Sequence, residues 1–152
     1  MSSKNKAVKL RPEVNLAALN ARGQGFLPGL LGVEITACEE GLLRSRMRVE
    51  PHHMAPNGYL HAASVIALAD TTAGFGTIAH LPQGAQSFTT IELKTNFLSS
   101  TREGIVVCVA SLEHGGRNTQ IWDAVVSALE ADGSERRMAM FRCTQMILWP
   151  RA

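Results

Sequence analysis

A single acidic residue lies in the middle of a long apolar segment, and this arrangement limits the folds open to the chain. Asp70 is the only charged residue between Glu50 and Glu92, and the run around it, residues 58–79, consists of small and apolar residues. A carboxylate in such a place is costly unless it is paired, hydrogen-bonded or used in chemistry. The segment therefore predicts a buried helix with the functional centre of the protein near Asp70.

The same segment is long enough to be considered as a membrane span. It is dominated by Ala, Gly and Thr, and it carries Asp70 at its centre, where a charge costs about 2.5–3.5 kcal/mol on insertion scales. We therefore reject the membrane span and expect no membrane partner. A helix that is apolar nearly all round is instead typical of the buried helix of a soluble domain.

Composition and charge exclude several classes of protein. The chain has 152 residues, of which 45% are hydrophobic and 18% charged, which suits one domain with one core. We expect a flexible N-terminal arm over residues 1–12 and a single domain over residues 13–152. The net charge of +2 is too small for a dedicated nucleic-acid-binding protein, so we expect no nucleic-acid partner.

The cysteines and the N-terminus predict a cytoplasmic protein. Cys38, Cys108 and Cys143 are odd in number, lie far apart and form no Cys-x-x-Cys pair. The first residues lack the apolar core of a signal peptide, so a reducing cytoplasm is expected. The pair His52-His53 is interpreted as part of an exposed loop, and no metal site is expected.

The order of the predicted elements indicates an α+β fold. A short helix over 12–21 and an apolar loop over 26–32 precede a strand pair over 33–39 and 42–49, a loop over 51–57 and the long helix. Four strands follow, over residues 86–98, 105–113, 119–131 and 137–148. Their connections are too short for crossover helices, so the strands are expected to be antiparallel. The prediction is one helix packed on one curved antiparallel sheet of about six strands.

The two ends of the predicted helix suit different chemical tasks. The free N–H groups of its first turn, around Ala62 and Ala63, are able to polarise a carbonyl or hold an oxyanion. Asp70 is suited to act as a general base on water or as a nucleophile, and an apolar setting would raise its pKa. A polarised carbonyl and a carboxylate are the minimum for hydrolysing an acyl compound.

The spacing of His61 and Asp70 indicates a dimer. Nine residues correspond to about 13.5 Å of helix axis and two and a half turns, which places the two side chains on opposite sides of the helix. A site that uses both ends of the segment must then draw them from two copies of the helix. Structural interpretations also stand at this point: Asp70 bonded to Thr71 or Thr72, His61 as a packing histidine, and Asn57 as a helix cap.

The chain resembles the hot-dog-fold acyl-CoA thioesterases, and most closely the 4-hydroxybenzoyl-CoA and phenylacetate-pathway branch. The likeness rests on three stretches: Gly58-Tyr-Leu-His61-Ala-Ala63 followed by Leu68-Ala-Asp70, the segment from Thr95 to Gly104, and the segment from His114 to Trp122-Asp123. It runs from about residue 32 to residue 151. It implies a hot-dog fold, an acyl-CoA substrate, no cofactor, and a homo-oligomer that is at least a dimer and is expected to be a dimer of dimers.

The resemblance also implies roles for individual residues. Asp70 matches the catalytic carboxylate, the amide of Ala62 the donor to the thioester carbonyl, and His61 the residue that positions this helix start. Coenzyme A contacts are implied at Arg117, Asn118 and Thr119, and at Arg102 and Arg151, since guanidinium groups suit phosphate oxygens. Phe75, with Tyr59, Met54 and the apolar loop over 26–31, is expected to shape a pocket for an aryl or medium-chain acyl group.

The chain departs from the family pattern at two places. Ala62-Ala63 replaces the usual Gly-Gly, which keeps the N–H donors but narrows the space for the acyl carbonyl. Ala55 stands where the family often has Asn or Gln, six residues before the histidine; either Asn57 substitutes for it or the contact is absent. These departures leave open a non-catalytic acyl-CoA-binding or sensor module. Because hydratases and dehydratases of enoyl thioesters resemble this fold, an enoyl-CoA hydratase or dehydratase is a second alternative to hydrolysis.

Overall fold

A computed structural model of the chain describes residues 8–151. The helices are α1 (Leu16–Gly23), α2 (Leu27–Leu30) and α3 (Ala62–Ala79), and Pro51–His53 forms a single 3-10 turn. The strands are β1 (Glu34–Glu39), β2 (Leu42–Arg48), β3 (Ser87–Phe97), β4 (Ile105–Gly115), β5 (Thr119–Leu129) and β6 (Glu135–Leu148).

The six strands form one antiparallel sheet in the order β1-β2-β4-β5-β6-β3, and α3 packs across one face of it. This confirms the α+β prediction and the antiparallel pairing. In β2 the side chains of Leu43, Ser45 and Met47 are buried while the arginines between them are exposed. The period-two pattern of the sequence therefore identified the inner face of the strand correctly.

Small residues let α3 lie close to the sheet. A methyl group placed on Gly76 would come within 2.8 Å of the Trp122 ring, and one on Gly74 would come within 3.2 Å of Phe88. Trp122 is fully buried, and its indole N–H donates to the Gln120 side chain, which in turn donates to the carbonyl of His80 at the end of α3. The run of Ala and Gly in the sequence thus serves close helix–sheet packing.

Replacing Gly76 with alanine is expected to destabilise the fold. The added methyl group has no space beside the buried Trp122 ring, so the ring or the helix must move. Overpacking of this kind typically costs about 1–3 kcal/mol. Urea unfolding should show a lower free energy of unfolding, and an unchanged midpoint would contradict the packing described here. Gly133→Ala, in an exposed turn, measures a different effect, the strain of an alanine at positive φ.

The boundaries differ from the sequence prediction at three helices. The first helix begins at Leu16 rather than at residue 12, because the Asn15 side chain accepts a hydrogen bond from the Ala18 N–H and caps it there. The apolar loop over 26–32 contains the one-turn helix α2. The long helix begins at Ala62, after Gly58 with a φ of +80° and His61 in an extended conformation.

The two edges of the sheet differ in their protection. At the β1 edge, the Asn20 side chain both donates to the Ile35 carbonyl and accepts from the Ile35 N–H. A side chain of α1 therefore satisfies both backbone groups of Ile35. The other edge is β3, an eleven-residue strand on which Ile91, Leu93 and Phe97 are 40–56% exposed. A long apolar edge strand is normally covered in native proteins.

The packing of α3 bears on two sequence predictions. The helix is apolar and long enough to cross a membrane, yet 56% of it is buried within the domain, as expected for a core helix.

The Arg11 N–H donates to the carbonyl of Ala79 at the end of α3. Residues 1–7 of the predicted N-terminal arm lie outside the described residues. The cytoplasmic location of the protein stays a prediction.

Candidate active site

The first turn of α3 presents a free backbone N–H to a cleft. His61 caps the helix: its Nδ1 accepts the Ala63 N–H at 2.9 Å, and its carbonyl accepts from Ser64 and Val65. Ala62 is exposed, and no described residue accepts a hydrogen bond from its N–H. The positive end of the helix dipole is therefore directed at the cleft through one unused donor.

The cleft has a volume of about 540 Å³ and mostly apolar walls. Its lining residues are Ala55, Asn57, Tyr59, Leu60, His61, Ala62, Val65, Phe97, Ser99 and Ser100. None of them is Asp, Glu, Lys or Arg, so the cleft suits an uncharged group. Phe97, Ser99 and Ser100 were missed from the sequence, because only the pairing of β3 in the sheet brings this strand end to the helix start.

Asn57 and Ala55 both line the cleft, so both alternatives for this position stay predictions: Asn57 replaces the usual polar residue, or the contact is absent. The Asn57 side-chain oxygen accepts the Tyr59 N–H at 3.1 Å, so its amide nitrogen is the part that is free to donate. Asn57 is therefore a turn residue rather than the helix cap, which is His61.

The loop before α3 is tied to the helix start by one carbonyl. His53 O accepts both the His61 N–H at 3.0 Å and the buried Ser64 hydroxyl at 2.7 Å. His52 is exposed as expected, but His53 is buried, because its ring accepts the Glu50 N–H and packs edge-on against His52. Within residues 8–151 no group of three potential ligands is placed to hold a metal ion.

Asp70 lies on α3, half-buried, with a carboxylate oxygen that has no protein partner. Its Oδ1 is buried and makes no hydrogen bond to any described residue. Thr72 does not satisfy it, since that hydroxyl donates to the Leu68 carbonyl and contacts Ser45 at 2.6 Å. Burial raises the pKa of Asp70, as the sequence predicted for an apolar setting.

A single chain does not bring Asp70 to the cleft. The carboxylate is absent from the cleft lining, and Asp70 follows Ala62 by eight positions, which corresponds to about 12 Å of helix axis. The two groups therefore lie on different parts of α3, which leaves the prediction of a shared site between two copies standing.

The residues expected to bind coenzyme A lie at opposite ends of α3. Arg102 is near the helix start, where its guanidinium group lies 4.3 Å above the Tyr59 ring. The turn that carries Arg117, Asn118 and Thr119 is at the other end, beside Trp149 and Gln120. Arg151 follows Trp149 and is exposed, and Phe75 is half-buried on α3 between the two ends.

Comparison with known proteins identifies the family. Residues 57–132 match the family model described as the thioesterase superfamily. The chain is 30% identical to putative esterase ComA2 of Bacillus subtilis, covering 78% of this chain and 90% of that protein. It is also 30% identical to the 1,4-dihydroxy-2-naphthoyl-CoA hydrolase of Escherichia coli, over 72% of this chain and 80% of the relative.

Solved structures agree with the sequence relatives. A mutant of thioesterase PA1618 from Pseudomonas aeruginosa superposes with a TM-score of 0.83 at 27% identity, covering 91% of this chain and 97% of that one. Thioesterase HI1161 from Haemophilus influenzae superposes with a TM-score of 0.82 at 25% identity, over 91% and 94% of the two chains. The chain has the hot-dog fold, belongs to the thioesterase superfamily and is a thioester hydrolase.

Proposed function

We propose that the protein hydrolyses acyl-CoA thioesters that carry a small aryl or medium-chain acyl group. The observation that carries the proposal is the buried, unpartnered oxygen of Asp70 on the same helix whose free Ala62 N–H faces an apolar cleft. One group is suited to activate a nucleophile and the other to stabilise the oxyanion that the attack creates.

The chemistry follows from these two groups. The Ala62 N–H polarises the thioester carbonyl while Asp70 takes a proton from the attacking water. The tetrahedral intermediate then collapses, the C–S bond breaks, and the proton passes from Asp70 to the leaving thiolate. Direct attack by the Asp70 carboxylate, through an anhydride that water then hydrolyses, is the alternative route.

We propose the chemical class of the acyl group from the residues that line the cleft and from the substrates that the names of two relatives give. Tyr59, Phe97 and Val65 offer apolar surface, and the lining holds no charged carboxylate or ammonium partner for an acidic or basic acyl group. Relatives in Escherichia coli and Listeria monocytogenes are named 1,4-dihydroxy-2-naphthoyl-CoA hydrolases, which act on an aryl thioester. Asn57 is proposed to donate to the substrate from the loop where Ala55 lacks a polar group.

A second copy of the chain is proposed to complete the site. The proposed interface consists of the uncovered edge of β3, with Ile91, Leu93 and Phe97, and the half-exposed side of α3 that carries Asp70. Two-fold pairing at this edge would set Asp70 of one subunit against the Ala62 amide of its partner. A homodimer is the minimum, and a dimer of dimers is the larger assembly that we propose.

Coenzyme A is proposed to be bound by the arginines at both ends of α3. Arg102 at the helix start, and Arg117 and Arg151 at the far end, would meet phosphates, while Asn118 and Thr119 would contact the pantetheine chain. Arg102 and Arg117 each lie against an aromatic ring, which holds the guanidinium plane and leaves its edge donors free. The thioester is the substrate, and no cofactor is proposed.

A free-thiol release assay over aryl-, short-, medium- and long-chain acyl-CoAs, together with an acidic acyl-CoA and an enoyl-CoA, tests the proposed function. We expect turnover with aryl and medium-chain substrates and much slower release with acidic acyl groups. Tight binding of these substrates without thiol release would contradict hydrolysis and favour the binding module. Loss of enoyl absorbance without thiol release would contradict it in favour of a hydratase.

A further inference from the structure

Two elements that pack against each other each carry a buried oxygen that has no hydrogen-bond partner among residues 8–151. One is Asp70 Oδ1 on α3 and the other is Thr95 Oγ1 on β3. A buried polar group without a hydrogen bond is costly, and such groups in native proteins are nearly always satisfied. The two oxygens therefore indicate a place between α3 and β3 where a molecule outside the chain is bound.

The strand register directs Thr95 toward the helix. Thr95 pairs with Phe141 of β6, whose side chain is buried in the core, and Phe97, two residues on, lines the cleft at Ala62. Residues at alternate positions of a strand share one face, so Thr95 points to the same side as Phe97. Thr95 thus belongs to the inner wall that leads from the cleft along β3.

A buried cysteine places Asp70 close to this part of the wall. Burial, and secondly the nearby charge of Asp70, raise the pKa of the Cys143 thiol to about 12. Cys143 pairs with Leu93, so Thr95 is its diagonal neighbour on the adjacent strand, at about 7 Å. Asp70 on the helix and Thr95 on the strand therefore both lie near Cys143.

We propose that Thr95 is a catalytic residue that binds the attacking water together with Asp70. A water that donates one hydrogen bond of about 2.8 Å to each oxygen bridges two groups some 5 Å apart. This inference rests on the proposed thioester hydrolysis and holds for whichever copy supplies the Ala62 amide.

The two oxygens divide the work on the water. The water donates one O–H to the Asp70 carboxylate and the other to Thr95 Oγ1, so its lone pair is aimed at the carbonyl carbon. Asp70 takes its proton as the new C–O bond forms and passes it to the thiolate as the C–S bond breaks. Thr95 is unchanged at the end, and the products are the free acid and the thiol.

Thr95→Val and Thr95→Ser, with Thr89→Val as the matched control, test the assignment in the full-length protein. Thr89 lies on the same strand but is exposed and pairs with exposed Met146. We expect Thr95→Val to lower kcat about 10- to 100-fold with KM changed less than about 3-fold, the loss of one hydrogen bond to a reacting group. Thr95→Ser should restore most of kcat, and Thr89→Val should leave it unchanged.

Stability and assembly separate this role from a structural one. Because Thr95 Oγ1 bonds to none of the described residues, Thr95→Val should leave the unfolding midpoint equal or higher and the sedimentation coefficient unchanged. Wild-type kcat in Thr95→Val, a serine variant as impaired as the valine variant, a lower midpoint or a shifted oligomeric state would each overturn the proposal. Asp70→Asn in the same assay tells the two proposals apart: if it is inactive while Thr95→Val is fully active, only the role of Thr95 fails.

Discussion

Asp70→Asn is expected to lower kcat for thiol release by about 10²–10⁴-fold while leaving acyl-CoA binding intact. Asparagine preserves the shape of the side chain but neither takes the proton of water nor attacks a carbonyl, and a positioned base contributes about this factor. Thiol release under saturating substrate measures kcat, and calorimetry with the inactive variant measures binding. Near wild-type hydrolysis across the acyl-CoA panel would contradict the assignment of Asp70.

The same variant is expected to be more stable than the wild type at neutral pH. Burial raises the pKa of Asp70 above its ordinary value of 3.8, so the folded state binds the proton more tightly than the unfolded state does. The protonated carboxyl of Asp70 therefore adds to the free energy of unfolding at low pH, and this contribution is lost as pH rises through the raised pKa. Asparagine carries no charge to bury and escapes this loss.

Thermal unfolding against pH checks the sign. The melting temperature of Asp70→Asn should exceed that of the wild type at pH 7, by about 2–4 °C for each kcal/mol of relieved charge burial. The difference should shrink as pH falls through the raised pKa of Asp70, because the wild-type carboxyl then takes up its proton in the fold. A variant that is less stable at pH 7 would show that Asp70 is a structural residue.

Ala62→Pro is expected to lower kcat by about 10²–10³-fold without unfolding the protein. Proline is tolerated at the first position of a helix and removes only the N–H that has no acceptor there. The preceding residue His61 already has φ −66° and ψ 139°, the extended conformation that a following proline requires. The expected loss is that of one oxyanion-hole donor.

Ala62→Gly is the matched control, since it also replaces the alanine side chain but keeps the N–H. It should retain activity with the same substrates. The circular dichroism and melting temperature of both variants should stay close to the wild type. Full activity of Ala62→Pro would remove the Ala62 amide from the mechanism.

Local patterns were sufficient to predict the elements that position the site. The alternation in β2 identified its buried face, and the uncharged run around Asp70 identified the helix that packs on the sheet. The short connections predicted the antiparallel pairing that the sheet shows. These features depend on residues close in sequence, where periodicity and turn chemistry are informative.

Features that depend on contacts distant in sequence were missed. Thr95 and Phe97 lie on β3 and Ser99 follows it, and this strand reaches α3 only because β3 pairs with β6 at the far edge of the sheet. The burial of His53 follows from its bonds to Glu50 and to the helix start, and nothing in the pair His52-His53 distinguishes the two rings. A single side-chain cap, Asn15, decided where α1 begins.

The central claim is that one active site is built from Asp70 of one subunit and the Ala62 amide of its partner, and mixing the two inactive variants tests it most directly. After co-refolding of Asp70→Asn with Ala62→Pro, half of the dimers should be mixed, and each mixed dimer should hold one intact site. The account predicts recovery of roughly a quarter of wild-type activity. Activity no higher than that of the separate variants, in a sample whose mixed dimers are verified by mass spectrometry, would contradict it.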